Sequence, residues 1–140
     1  MLAKTSPEVD ESLSDVTVDP GAQKALFPAK LIGEMGIPVT HLATRAHVTF
    51  ANGEREEILR EALMGEISIL VADVVEPLLS VVGLLDAGHF VVMSNGRGVV
   101  TSCATWESAT LKRTAGQWGM KMKDLVSLER STTPPLILQS

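Results

Sequence analysis

Val16-Thr17-Val18-Asp19-Pro20-Gly21-Ala22 is a short β-branched strand that delivers a carboxylate into a tight turn with a small residue behind it. By itself Asp-Pro-Gly is also an ordinary turn, because Pro presets φ, Asp bonds its own backbone and Gly tolerates φ > 0. A second stretch gives the first one meaning. Leu78-Leu79-Ser80-Val81-Val82-Gly83-Leu84-Leu85-Asp86-Ala87-Gly88-His89-Phe90-Val91-Val92 lies downstream, where an apolar strand becomes a short helix.

Between and around these stretches the chain reads mainly as strand. Arg45 to Phe50 alternates, with Ala46, Val48 and Phe50 on one face. It runs into Asn52-Gly53, a strong hairpin signal because both residues accept φ > 0. Glu54 to Met64 has a helix-favouring composition, yet its place after a hairpin turn and between strands makes it the return strand. Ile67 to Val75 predicts a buried strand, and His89 to Met93 another, followed by a turn at Ser94-Asn95-Gly96. Trp118, Met120 and Met122 alternate with Lys121 and Lys123 and predict a last strand with a solvated basic face.

Helix is scarce. Pro28 to Met35 predicts one or two turns stopped by Gly36 and Pro38, and Leu78 to Leu85 a short helix ended near Gly88. Residues 1–14 are polar, acidic and Ser/Pro-containing, and read as a flexible leader. Residues 127–140 read as a flexible tail, since the adjacent Pro134 and Pro135 end regular structure. The body between them divides into 15–93 and a β-rich extension, 94–126, packed on it or following it.

With 140 residues, 45% of them hydrophobic, the chain holds one domain with a respectable core, and general disorder is excluded. Twelve Lys+Arg against seventeen Asp+Glu give a net charge of −5. A mainly nucleic-acid-binding role therefore has no whole-chain electrostatic support, although residues 112–130 carry a local excess of basic groups. The lone Cys103 makes no intrachain disulfide, which suits a reducing intracellular compartment, with cytoplasm and virus-like particle equally compatible. No apolar leader segment is expected at the start, and Asp73, Glu76 and Pro77 break the longest apolar stretch, so no membrane span is expected.

Familiar chemical signatures are missing. His41, His47 and His89 lack metal-ligand spacing, and one cysteine does not make a zinc knuckle, so no metal site is expected. There is no phosphate-cradling glycine loop and no Gly-x-Ser-x-Gly elbow, and no cofactor is expected.

The Asp19 turn and the downstream stretch together resemble the retropepsin-like aspartic proteases encoded by copia-type retrotransposons. That family carries an Asp-Ser-Gly-Ala loop, then a strand region often containing Ala-Asn-Gly, then a Pro-Leu-Leu-Ser-Val segment leading to Ala-Gly-His. Here these are Asp19-Pro20-Gly21-Ala22, Ala51-Asn52-Gly53, and Pro77-Leu78-Leu79-Ser80-Val81 with Asp86-Ala87-Gly88-His89. Leu111-Lys112-Arg113 to Trp118-Gly119-Met120-Lys121-Met122 looks like the segment that trails the protease in such polyproteins. The resemblance covers roughly residues 16–123.

It implies a mostly β, retropepsin-like acid-protease half-barrel with one or two short helices and a β-rich C-terminal extension. It also implies half an enzyme, because two copies must pair so that two loop aspartates share one proton. By the resemblance Asp19 is the catalytic residue, in an active-site loop with Pro20, Gly21 and Ala22. Leu78, Leu79, Ser80 and Val81 form the core that supports that loop, and Ala51, Asn52 and Gly53 lie at or near a flap over a polypeptide substrate. Asp86-Ala87-Gly88 is a second Asp-x-Gly, but it follows a helix and reads as that helix's C-terminal turn. One departure stands out: the family places Ser or Thr after the aspartate, and Pro20 has neither hydroxyl nor N–H. The implied activity is a homodimeric endopeptidase processing its own Gag-Pol polyprotein. The alternative of another class is a catalytically inactive β domain that dimerises or acts as a spacer.

Overall fold

The structure, a computed structural model, describes residues 15–131; the expected leader 1–14 and residues 132–140 of the expected tail lie outside the described residues. The first half of the chain runs β1 (Val16–Asp19), β2 (Ala25–Pro28), α1 (Ala29–Met35), β3 (Val39–Thr49), β4 (Arg55–Met64) and β5 (Ile67–Ala72). The second half runs β6 (Leu78–Ser80), α2 (Val81–Asp86), β7 (His89–Ser94), β8 (Arg97–Ser102), β9 (Ser108–Thr114), β10 (Gln117–Met120) and α3 (Met122–Ser131). The protein is mostly β, as the sequence predicts.

The ten strands among the described residues join one mixed sheet, in the order β3-β4-β5-β2-β6-β1-β10-β9-β8-β7. β1 lies near its centre, parallel to β6 on one side and antiparallel to β10 on the other. The expected boundary between residues 93 and 94 has no counterpart: it cuts through β7, and β10 pairs directly with β1. Residues 94–126 therefore complete the sheet instead of extending it.

Side-chain alternation separates two apolar layers. Val16, Val18, Ala25, Phe27, Ile69, Val71 and Leu79 point into the main core, which α3 closes with Met122, Leu125 and Leu128. Leu26 and Leu70, their immediate chain neighbours, belong instead to a smaller cluster on the opposite face. There Ile58 and Ala72 are also buried, and Leu42, Ala46, Val48 and Phe50 of the β3–β4 hairpin fold onto them.

One local expectation holds and others need adjusting. Glu54 to Met64 is strand despite its helical composition: Ile58, Ala62 and Met64 are buried through pairing with β3 and β5, and tertiary burial outweighs propensity. The strand beginning at Ile67 ends at Ala72, because the Asp73 N–H turns to the Glu56 carboxylate at 2.8 Å and Val75 is left exposed. Leu78–Ser80 is strand, and helix begins only at Val81, where the Ser80 side chain caps α2.

The last expected strand stops at Met120, and Met122 opens α3. A third helix therefore joins the one or two expected. The tail expected from residue 127 is corrected at its start as well: 127–131 continue α3, with Leu128 buried in the core. The three-residue spacing of Met122, Leu125 and Leu128 makes one apolar stripe, and burying that stripe is what holds the helix.

Gly98 on β8 is set by close packing. A Cβ there would lie 2.7 Å from the Val92 carbonyl oxygen and 3.2 Å from the Trp118 ring. Gly98→Ala should therefore lower stability by about 1–3 kcal/mol, the usual cost of overpacking. Urea unfolding checks this, and an unchanged midpoint would show that β7 and β8 can shift apart.

Candidate functional site

β1 ends in Asp19, and Asp19-Pro20-Gly21-Ala22 closes a reverse turn in which the Ala22 N–H donates to the Asp19 carbonyl at 3.3 Å. Pro20 takes the second position of that turn, where a fixed φ is an advantage and no backbone donor is required. This is the physical reason a proline fits there. The Gly21 N–H donates to Asp19 Oδ1 at 2.8 Å, so one carboxylate oxygen is held by the loop itself. A Cβ at Gly21 would meet the same oxygen at 3.4 Å, ordinary contact. Asp19 is half-buried, and Pro20 and Gly21 are exposed.

β6 supports the turn from beside and below. In the parallel β1–β6 pairing, Thr17, Val18 and Asp19 stand against Leu78, Leu79 and Ser80. Leu79 is fully buried in the main core, while Leu78 and Val81 are partly buried. Ser80 is also fully buried and does two jobs at once. Its hydroxyl donates to the Ala22 carbonyl at 2.7 Å and accepts from the Gly83 N–H at 3.0 Å. One side chain thus caps α2 and pins the end of the Asp19 turn, across 58 residues of sequence.

Alternation assigns a face to Asp19. Val16 and Val18 point into the main core, so Thr17 and Asp19 project from the other side. Leu78 pairs with Thr17 on one flank and with Leu26 on the other. Leu26 belongs to the cluster that the β3–β4 hairpin covers. Asp19 therefore emerges on the hairpin's side of the sheet.

The hairpin tip holds Ala51, Asn52 and Gly53, all exposed. Asn52 Oδ1 accepts the Glu54 N–H at 2.9 Å, the Gly53 N–H donates to the Phe50 carbonyl at 2.9 Å, and Gly53 takes φ +91°. The expected hairpin turn forms, but only Gly53 takes a positive φ and Asn52 does not, so Asn52 serves the turn through its side chain. No hydrogen bond links these three residues to the Asp19 turn. Asp19, Gly21, Ala22 and Ser80 are brought together; the hairpin tip is a separate feature.

The histidines divide. His41 and His47 are exposed on β3, while His89, at the start of β7, is buried. His89 Nε2 lies 2.6 Å from Glu129 Oε2 of α3, with side chains 0% and 2% exposed. Burial by itself lowers the His89 pKa and is the largest single influence. The hydrogen bond that His89 Nε2–H donates to Glu129, the negative charge of Glu129 and the carbonyls of Gly88 and Ala87 together outweigh it, and the pKa is raised. Sequence reading missed this pair because forty residues separate its members; the available signal was an acid lying in the apolar stripe of α3. Among the described residues no group of three His, Cys, Asp or Glu side chains is arranged to hold a metal ion. No described helix is long and apolar enough to cross a membrane.

In comparisons with known proteins, no protein family, no curated protein and no solved structure matches the chain.

The Ser80 clamp is directly testable. Ser80→Ala removes a helix cap and leaves the Ala22 carbonyl without its buried donor, and should cost about 1–3 kcal/mol in denaturant unfolding. Pro20→Ser, at an exposed turn position that tolerates most residues, should cost no more than about 1 kcal/mol. A larger loss from Pro20→Ser than from Ser80→Ala would reverse the roles given to these two residues.

Proposed function

We propose that this chain is one subunit of a homodimeric, retropepsin-like aspartic endopeptidase that cuts the polyprotein of a copia-type retrotransposon. The observation that carries the reading is the Asp19 turn. It is a carboxylate at the end of a central strand, pinned by the Ser80 hydroxyl of the parallel neighbour, on the sheet face that a long hairpin folds against. That arrangement supports the resemblance seen in the sequence.

In this reading a second copy supplies the second aspartate. Two carboxylates in contact cannot both ionise, so they hold one proton between them. The ionised carboxylate takes a proton from a water molecule, whose oxygen attacks the peptide carbonyl carbon. The protonated partner donates to the carbonyl oxygen as negative charge develops there. Collapse of the tetrahedral adduct breaks the C–N bond, and the departing amine takes up a proton. The residues doing chemistry are the two Asp19 side chains; Gly21 holds each carboxylate through its N–H, and Ser80 holds the turn. No metal or cofactor enters the scheme. The substrate is an extended polypeptide whose backbone pairs like an added strand near the hairpin carrying Ala51, Asn52 and Gly53. The proposed setting is a reducing intracellular compartment, either cytoplasm or virus-like particle.

Pro20 favours a second reading, a catalytically inactive β domain that dimerises or acts as a spacer in a longer polyprotein. In the proteases that the sequence resembles, the hydroxyl after the aspartate bonds across the dimer and steadies the paired loops. Pro20 offers no hydroxyl, so the cross-dimer bond is lost even though the turn itself is well formed.

Cleavage of an unstructured protein at about pH 5, where a shared-proton dyad is competent, separates the readings. The chain as it stands, Asp19→Asn and Pro20→Ser are compared, with pepstatin as a mimic of the tetrahedral adduct. The protease reading expects cleavage by the unmodified chain, abolished in Asp19→Asn and blocked by pepstatin. Cleavage by Pro20→Ser alone would mean an intact scaffold disarmed by one residue. Folded protein with no cleavage in any of the three would leave the non-catalytic domain as the function.

A further inference from the structure

We propose that the His89–Glu129 pair is a pH-dependent latch that fastens α3 to the sheet. The geometry is that of a lock between distant pieces of chain. His89 stands at the start of β7, Glu129 lies in the last turns of α3, and the turn between β4 and β5 closes the site through Gly65. Gly65 has φ +62°, and a Cβ on it would sit 2.5 Å from Glu129 Oε1 and 3.2 Å from Glu129 Cβ. The missing side chain at Gly65 is the space that the carboxylate needs.

Neither member of the pair has a part in the chemistry centred on Asp19, and the inference stands whether or not that chemistry occurs. Packing alone does not require a charge here, because Met122, Leu125 and Leu128 already give α3 an apolar stripe in the core. Two groups withdrawn this far from water are costly to bury as charges, and their mutual contact offsets that cost.

The surroundings make His89 the titrating element. From α3 it meets Glu129, and from the α2–β7 connection it meets the carbonyls of Ala87 and Gly88. Its cross-strand neighbour on β8 is Ser102, neutral and buried. Asp86 at the end of α2 and Glu66 beside Gly65 are exposed, and Glu129 is the charged group that acts on the imidazole. The folded-state pKa is raised above the ordinary 6.5. The latch is therefore at full strength below 6.5 and weakens as pH rises through the folded value. There the ring loses its charge and the carboxylate stays buried against a neutral partner. Acid conditions hold α3 down, and alkaline conditions loosen it.

The test follows the His89 imidazole by NMR in the intact chain from about pH 5.5 to about pH 9. It also follows amide exchange in α3 and β5, each corrected for intrinsic exchange. Glu129→Gln and His89→Gln run alongside. A His89 pKa above 6.5 is expected, falling below it in Glu129→Gln. Protection of α3 should fall across the titration about tenfold for each unit by which the folded pKa exceeds the ordinary one. β5 should keep its protection, and α3 in His89→Gln should show no pH step. A His89 that titrates at or below 6.5, an α3 step that persists in His89→Gln, or equal loss in β5 would overturn the latch. If His89→Gln does not fold, the contrast between α3 and β5 in the unmodified chain decides.

Discussion

Everything in this fold hangs on the pairing of β1, a four-residue strand gripped on both sides. Its parallel partner β6 ties it to the half of the sheet that contains the long hairpin, and its antiparallel partner β10 ties it to the half that ends in β7. Val16 and Val18 are 0% and 1% exposed, so its inner face is locked as firmly as its edges. A strand this short gains little from its own hydrogen bonds. Its stability is lent by the two halves it joins, which makes the carboxylate at its end one of the best-positioned groups in the molecule.

That seam also explains why the Asp19 turn is rigid while carrying an exposed proline. The turn is held at three points: the Gly21 N–H on Asp19 Oδ1, the Ala22 N–H on the Asp19 carbonyl, and the Ser80 hydroxyl on the Ala22 carbonyl. Pro20 takes part in none of them. Turn geometry and any chemistry at Asp19 are therefore separable, because a residue that suits the turn can still lack the hydroxyl that a paired site would use. The opposite face of the same strand belongs to the core, so one alternation divides structural valines from an outward carboxylate.

The far end of the chain shows the same economy in a different form. α3 follows β10 after a single residue and lies across the core that both halves of the sheet share. Its apolar stripe packs into the core, and the Glu129 carboxylate adds a directional contact to His89. Placing that contact against a glycine turn lets three remote segments meet closely, since a Cβ at Gly65 would collide with Glu129. A buried ionic pair of this kind adds little net stability over an apolar contact of the same shape, but it makes docking responsive to protons.

Much was legible in the sequence alone, namely wherever the signal is local. The alternation of Ala46, Val48 and Phe50, the Asn52-Gly53 turn, and the passage of β1 into Asp19-Pro20-Gly21 all follow from period-two patterning and turn chemistry. So does the predominance of strand. Tertiary structure alone decided the rest, for identifiable reasons. Met122 continues an alternation begun at Trp118, and only its burial in the main core together with Leu125 and Leu128 makes it the start of a helix. Ser80 belongs to the stretch expected to support the Asp19 loop, but only the parallel pairing of β1 and β6 brings its hydroxyl to the Ala22 carbonyl. His89 and Glu129 have no sequence proximity at all, and each alone reads as an ordinary polar residue. Local sequence determines which backbone shapes are cheap; which side chains become partners depends on strand order and on the burial that strand order imposes.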